Sequence, residues 1–300
     1  MPVSQAVCGC MSRSHLLVAA SYGLAITLAY FSLSLFSEYP VLVQVLLADV
    51  VATIVVFTFS LAFGNSSFYD PFWSLIPIVI GVYFIGVSVE ADSWRQILAM
   101  SVVGVWGLRL TANFLYTWEG LEHQDWRYIE LQSQSGLLWQ PVNFLGIHLI
   151  PTVIVFLGCV PLYYALSVGS RELNAFDGLA FFVGALSIWL EYQADVELHR
   201  FRERRQSREE VLSTGLWSRC RHPNYLGELG LWLSVLLFGY AATGNAGGWM
   251  TVGFFSMVAL FVFISIPMIE RKMTRDKPGY VNYKSSTYTL LPFSRLRTHK

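Results

Sequence analysis

The run Arg219-Cys220-Arg221-His222-Pro223-Asn224-Tyr225-Leu226-Gly227-Glu228 concentrates chemically capable side chains where a basic loop enters an apolar stretch. Pro223 suits the first turn of a helix. The free backbone N–H groups of that turn, with Arg221 beside them, make a natural site for a phosphate or a carboxylate. Asn224 and Glu228 lie four residues apart and share one helix face. A glutamate inside an apolar span is costly unless paired, so Glu228 is a functional candidate by default.

A second set lies upstream. Glu191, Asp195, His199 and Arg202 are spaced four, four and three residues apart, which places them along one stripe of a helix. A membrane helix charged on one side faces a partner, water or a ligand rather than lipid. Arg204, Arg205 and Arg208 continue the basic character into the following loop, where they also suit a role in topology or in contact with anionic lipid.

Proton chemistry has its own candidates. Asp49 sits within an apolar run, and Glu119 and Tyr128 lie just beyond another; these three are the candidate catalytic residues, with Tyr83, Arg109 and Asn113 as further polar groups. Asp49 is equally suited to pairing with Arg109, and Trp126 and Tyr128 to an aromatic belt at the membrane surface.

Several chemistries are absent. No G-x-G-x-x-G follows a strand, which excludes a soluble dinucleotide fold. No serine, histidine and acid arrangement presents a nucleophilic triad, and His148 and Cys159 in apolar runs read as packed side chains. The four cysteines Cys8, Cys10, Cys159 and Cys220 fit neither a disulfide framework nor a zinc pattern. No metal is expected. Cys8 and Cys10 precede the first apolar run, where lipidation is an option beside two plain thiols.

The elements that must position these residues follow from composition. The 300 residues are 54% hydrophobic and 13% charged, with a mean hydropathy of +0.49, against about a quarter charged in soluble domains. Lipid is the implied solvent. Lys plus Arg balances Asp plus Glu at 20 each, which argues against a nucleic-acid partner. A crossing helix needs about 20 mostly apolar residues. Such runs fall near 15–36, 41–63, 73–89, 94–117, 142–168, 175–198, 225–243 and 248–268, giving an all-α polytopic bundle of eight spans, or seven if one is re-entrant. The first run is too long for the core of a secretory signal and reads as a retained span. Basic residues crowd 199–222 and the tail from Arg271, so both segments are expected on the cytoplasmic side. The connection 117–141 joins them by parity, and any chemistry must be built from helix ends and loops.

Taken together, the motifs resemble a known family. Asp70-Pro71-Phe72-Trp73, Trp106-Gly107-Leu108-Arg109-Leu110 and Asp125-Trp126-Arg127-Tyr128 are followed in order by Ala194-Asp195, Arg202, Gly215-Leu216-Trp217-Ser218-Arg219 and the Arg-His-Pro-Asn-Tyr-Leu-Gly-Glu run. Lys277-Pro278-Gly279-Tyr280-Val281-Asn282-Tyr283 and Leu291-Pro292-Phe293 complete the series. This pattern is similar to membrane proteins related to the C-terminal domain of steroid 5-alpha-reductases, in their uncharacterised branch. The resemblance covers 70–300, with the cofactor site mainly in 191–293, and leaves 1–69 as N-terminal spans on a possible substrate side.

The resemblance implies a bundle that holds NADPH in a cytoplasm-facing cavity and reduces a carbon–carbon double bond in a steroid, enone, polyprenyl or fatty-acyl type of molecule. Asp195, Arg202, Arg221, His222, Asn224, Tyr225, Glu228 and Tyr283 fall at its cofactor-contacting positions. The planar arginine fork suits phosphate, so Arg202, Arg204, Arg205 and Arg221 are expected to meet the pyrophosphate and 2'-phosphate. The family's substrate-binding Glu and Tyr have no counterpart in the pattern of 1–69. Arg-His-Pro-x-Tyr also occurs in membrane methyltransferases related to isoprenylcysteine carboxyl methyltransferase, which keeps S-adenosylmethionine as the alternative cofactor; a non-catalytic lipid-binding scaffold is the third reading. An endoplasmic reticulum address is implied, with a bacterial inner membrane as the alternative.

Overall fold

The computed structural model describes residues 13–291; Cys8, Cys10, Pro292 and Phe293 lie outside the described residues. Among the described residues, eight helices are long and apolar enough to cross a membrane: α1 (Arg13–Leu35), α2 (Val41–Phe63), α3 (Ser66–Gly86), α4 (Ser93–Thr117), α5 (Trp126–Val168), α6 (Ala175–Arg204), α7 (Pro223–Thr243) and α8 (Trp249–Asp276). A short helix α9 (Tyr280–Ser286) follows. The chain is an all-α, multi-pass membrane protein. Many large apolar side chains are exposed along these helices, among them Leu28, Val82, Leu108, Phe182 and Phe263, as a lipid-facing surface requires.

Helix boundaries follow local chemistry. Asn174 caps α6: its side chain accepts from the backbone N–H of Phe176, while Asp177 closes a capping box. Pro223 occupies the first turn of α7, where its missing N–H costs nothing. Two helices depart from the expected runs. α5 starts at Trp126 rather than near 142, because Asp125 caps a polar first segment, Trp126–Ser135, that no apolar window reveals. α5 also passes through π-helical turns at Asn143–Leu149 and Tyr164–Val168, as α8 does at Leu260–Ser265. Pro151, Pro161 and Pro267 lie close to these segments, and each removes one helical hydrogen bond.

The described residues form two compact units, 13–76 with 107–153 and 77–106 with 154–291, and the division falls inside α3, α4 and α5. In the first unit, the Tyr22 hydroxyl donates to the Phe68 carbonyl at 2.9 Å, and the Tyr69 and Phe72 rings stack at 5.0 Å. Asn65 ties the turn before α3 to the segment after α4, donating to the Leu121 and His123 carbonyls at 2.9 and 3.1 Å.

The second unit is held by close helix approaches and buried polar pairs. A Cβ on Gly253 would lie 2.1 Å from the Leu157 carbonyl oxygen, so α5 and α8 approach here only because Gly253 has no side chain. Pro161 cannot donate to that same carbonyl, which leaves it to face α8. At one end, Arg95 on α4 meets Asp177 on α6 through bonds of 2.7 and 2.9 Å, with the side chains 0% and 1% exposed. Arg95 also donates to the Arg171 and Glu172 carbonyls.

Removing one partner of such a pair leaves an uncompensated buried charge, at a cost of about 3–5 kcal/mol. Arg95→Met is therefore expected to lower the thermal midpoint in detergent sharply, and Arg95→Met with Asp177→Leu to recover part of the loss. Equal midpoints for wild type and Arg95→Met would remove this pair from the account of the fold.

Candidate functional site

The strongest motif of the sequence lies where the loop after α6 enters α7, and here the C-terminal segment returns to meet it. The backbone N–H of Arg221 donates to the Tyr288 carbonyl at 2.8 Å and that of His222 to the Thr289 carbonyl at 3.2 Å. The Arg221 guanidinium continues the union. Its Nε donates to Glu270 Oε1 at 2.7 Å, Nη1 to the carbonyls of Lys284 and Thr287, and Nη2 to Thr289 Oγ1 at 2.8 Å. Lys284 Nζ completes the cluster on Glu270 Oε2 at 2.8 Å. Arg221 is only 8% exposed. The sequence set this arginine against a phosphate; the structure turns its fork onto Glu270 and the C-terminal segment, making it a clasp. The pairing partners lie 49 to 68 residues away, beyond any periodic signal.

His222 is drawn into the same cluster, with Nε2 3.2 Å from Glu270 Oε1. Burial pulls its imidazole below the ordinary value, although the carboxylate pulls the other way. Its ring stacks on Tyr225 at 5.4 Å, and Tyr225 meets Phe261 of α8 at 4.7 Å. The Tyr283 hydroxyl donates to the Trp217 carbonyl, and burial raises its pKa. Tyr280, packed against Tyr283, is pushed up to about 12, again chiefly by burial.

Deeper in α7, Glu228 is 3% exposed and solvated by two indoles. Trp106 Nε1 donates to Oε2 at 3.0 Å and Trp232 Nε1 to Oε1 at 2.8 Å. Gly227, one residue earlier, packs so tightly on α6 that an added Cβ would lie 2.5 Å from Glu191 Cγ. Glu191 is itself buried. Asn224, one turn before Glu228, has a buried Oδ1 without a hydrogen-bond partner among the described residues.

A cation cluster forms where α6 ends. Lys277, immediately after α8, is buried and donates to the Glu210 carbonyl, with its Nζ 5.8 Å from the centre of the Phe201 ring. Burial first, then the Arg205 and Arg202 charges, lower its pKa; Glu210 and Asp276 offset part of this. Asp195 acts on Arg202 from the preceding turns of the α6 stripe. Arg204 and Arg208 are exposed. The sequence had placed Lys277 in the basic tail and in the motif series, without a partner; its approach to Arg202 and Arg205 joins residues more than 70 positions apart.

In the first unit, Asp49 is 5% exposed, and neither carboxylate oxygen has a hydrogen-bond partner among the described residues. It therefore forms no pair with Arg109. Asp49 lies within electrostatic reach of Tyr69. The Tyr69 hydroxyl is 2.9 Å from Thr152 Oγ1, which is 2.9 Å from Thr53 Oγ1. His148 adds Ser60 at 3.0 Å, so a polar network surrounds this depth of the unit. Tyr128 donates to Asp70 Oδ1 at 2.5 Å beside the Arg127–Asp125 pair. Glu119 instead points outward, its side chain 80% exposed and 3.9 Å from His123. That exposure deprives Glu119 of the desolvated setting expected of a membrane-depth acid.

The described residues hold no group of His, Cys, Asp and Glu arranged for a metal. Fold and site together define a multi-pass helical membrane protein whose C-terminal segment is clasped to the start of α7. Residues 56–287 match the family described as protein of unknown function DUF1295, and the chain belongs to it. A relative in Schizosaccharomyces pombe, described as an uncharacterized protein, is 26% identical over 253 residues, covering 76% of this chain and 73% of its own length. No solved structure matches.

His222 gives the site a pH signature. Its folded pKa is depressed, so the unfolded chain takes up the proton first, as pH falls through the ordinary value of about 6.5. The stability it contributes is present above that value and is lost below it. Thermal midpoints measured from pH 8 to pH 5, as an experimental range of about three units, should fall on the acid side in the wild type and flatten in His222→Gln. An unchanged slope in the variant would exclude His222 as the titrating group.

Proposed function

We propose that this protein is an NADPH-dependent reductase of a carbon–carbon double bond in a lipid-like substrate. The observation that carries the reading is the cation cluster of Arg202, Arg205 and Lys277, in which burial and neighbouring guanidiniums already disfavour the lysine charge. A polyphosphate ligand relieves that repulsion, and two arginines can grip phosphate oxygens in pairs. The motif series shared with steroid 5-alpha-reductase relatives supports the same cofactor. S-adenosylmethionine brings a sulfonium cation and no phosphate, which such a cluster disfavours.

NADPH supplies the hydride when bound; the chain's residues hold it and handle the proton. Arg202, Arg205 and Lys277 would meet phosphate, and the buried Asn224 Oδ1 offers an acceptor for a cofactor N–H or O–H. Tyr225, whose ring packs on His222 and Phe261, would line the same turn. Arg221 and Glu228 act through position: the first fixes the C-terminal segment, the second ties α7 to α4. Among the candidate acids, Asp49 has the environment best suited to a substrate carbonyl or hydroxyl, because its carboxyl is buried with no hydrogen-bond partner among the described residues. The endoplasmic reticulum membrane is the proposed location, with the basic segments on the cytoplasmic side.

Purified protein should bind NADPH about tenfold to a hundredfold more tightly than NADH, since one charge-assisted contact is worth about 1.5–3 kcal/mol. Arg205→Met or Lys277→Met should narrow that gap, while Arg208→Met leaves it unchanged. Asn224→Ala should weaken both dinucleotides. Calorimetry on protein in nanodiscs reads all three. Saturable binding of S-adenosylmethionine without NADPH would replace the reductase with a methyltransferase, and binding of neither would favour a scaffold.

The proton step has a separate check. With a membrane-partitioned enone as acceptor, Asp49→Asn should lower NADPH oxidation by about a hundredfold or more, the usual scale of general acid catalysis. Cofactor affinity should stay within about twofold, less than the effect of one hydrogen bond. Full turnover in the variant would move the acid elsewhere, with Tyr128 next to be tested.

A further inference from the structure

The last turns of α8 carry a feature that the proposed reduction does not use. A groove of about 540 Å³ runs along them, with α9's Lys284 as its opposite wall. Its two ends differ in chemistry. Ile266 and Pro267 lie at the apolar end, next to the exposed Val262, Phe263 and Ile264; Arg271, Thr274 and Arg275 lie at the other. Pro267, Arg271 and Arg275 are spaced four residues apart in a regular α-helical stretch, so they form one stripe that turns from apolar to cationic.

The charges of the groove are not all compensated within it. Glu270 is held by Arg221, His222 and Lys284. Arg275 shares Asp276 with Lys272, at 3.0 and 2.6 Å. Arg271 is exposed and makes no ion pair among the described residues. Three cationic side chains thus line a groove whose single carboxylate is already occupied.

We propose that this groove binds the headgroup of an anionic phospholipid, with the phosphate against Arg271, Arg275 and Lys284 and an acyl chain leaving along Pro267 and Phe263. A soluble phosphate matches only the cationic half. The apolar half, continuous with the lipid-facing surface of the span, commits the site to a lipid. Thr274 provides a hydroxyl for the phosphate or for a glycerol oxygen. The inference is independent of the reductase reading, because it uses the outer stripe of α8 rather than the Arg202, Arg205 and Lys277 cluster.

The experiment is lipid titration of the full-length protein in nonionic detergent, with bound lipid read by native mass spectrometry. The probes are phosphatidylglycerol, phosphatidylcholine, glycerol 3-phosphate and inorganic phosphate. Phosphatidylglycerol should bind about tenfold more tightly than phosphatidylcholine, and Arg271→Gln or Arg275→Gln should each weaken it about fivefold, as for one basic residue near an anionic membrane surface. Arg208→Gln should leave it unchanged. Arg271→Lys should retain the preference, which separates lost charge from lost fold. Equal binding of the two lipids, an equal loss in Arg208→Gln, or displacement of the lipid by inorganic phosphate at comparable concentration would each overturn the proposal.

Discussion

A carboxylate inside a membrane-spanning helix must find in the protein the solvation that hydrocarbon withholds, and the way Glu228 does so governs the packing around it. Its two oxygens accept separate indole N–H groups, from Trp106 on α4 and Trp232 on α7. The indoles meet edge to face at 5.6 Å, so the polar contact also fixes an aromatic one. Next to it, Gly227 lets α6 approach closely enough for Glu191 to pack on the α7 backbone. The same constraint operates at the far end of these helices, where Arg95 and Asp177 satisfy each other and the neighbouring carbonyls. Helix association in lipid lacks a hydrophobic drive and depends on such polar pairs and close approaches.

Where that rule is broken, a ligand is the natural remedy. Asp49 and Asn224 each bury oxygen atoms without hydrogen-bond partners among the described residues. Buried polar groups left unmade cost about 1–3 kcal/mol each, and a fold that satisfies Glu228 and Arg95 so completely shows that the chain can find partners. Asp49 lies in the apolar span of α2 and Asn224 on the first turn of α7.

The spans were legible because length and hydropathy are local properties, and the stretches ending at Pro40 and starting at Gly64 and Gly244 interrupt them with residues a helix does not easily absorb. The early start of α5 was not, since Trp126–Ser135 is a capped polar helix with no apolar window. The site divides along the same line. That the Arg219–Glu228 run opens a helix, and that Asn224 and Glu228 share its face, followed from spacing. Arg221's engagement with Glu270 and Thr289 did not, because those partners come from another helix and from the segment beyond α9. Asp49 stood out in sequence as a charge within a span, while Glu119, equally charged, is exposed. The difference arises from position: Asp49 lies inside α2, whereas Glu119 lies in the segment after α4 ends at Thr117.

The two kinds of cation near α7 therefore have different work. Arg221 spends its donors on Glu270, two carbonyls and a hydroxyl, and in doing so pins the chain at Thr287–Thr289. Tyr283 pins it again through the Trp217 carbonyl, and Lys277 a third time through that of Glu210. Three attachments to the loop between α6 and α7 fix the path of 277–289. The last two are made to neutral carbonyls, which locate a side chain without cancelling charge. Lys277 is thus brought beside Arg202 and Arg205, where burial first and then those charges lower its pKa. A buried cation normally acquires a carboxylate; here the well-compensated carboxylate, Glu270, is reserved for the clasp. The fold thus gathers one acid, Glu270, into the clasp with Arg221, His222 and Lys284, and sets Lys277 among Arg202 and Arg205 with Glu210 and Asp276 offsetting part of their repulsion.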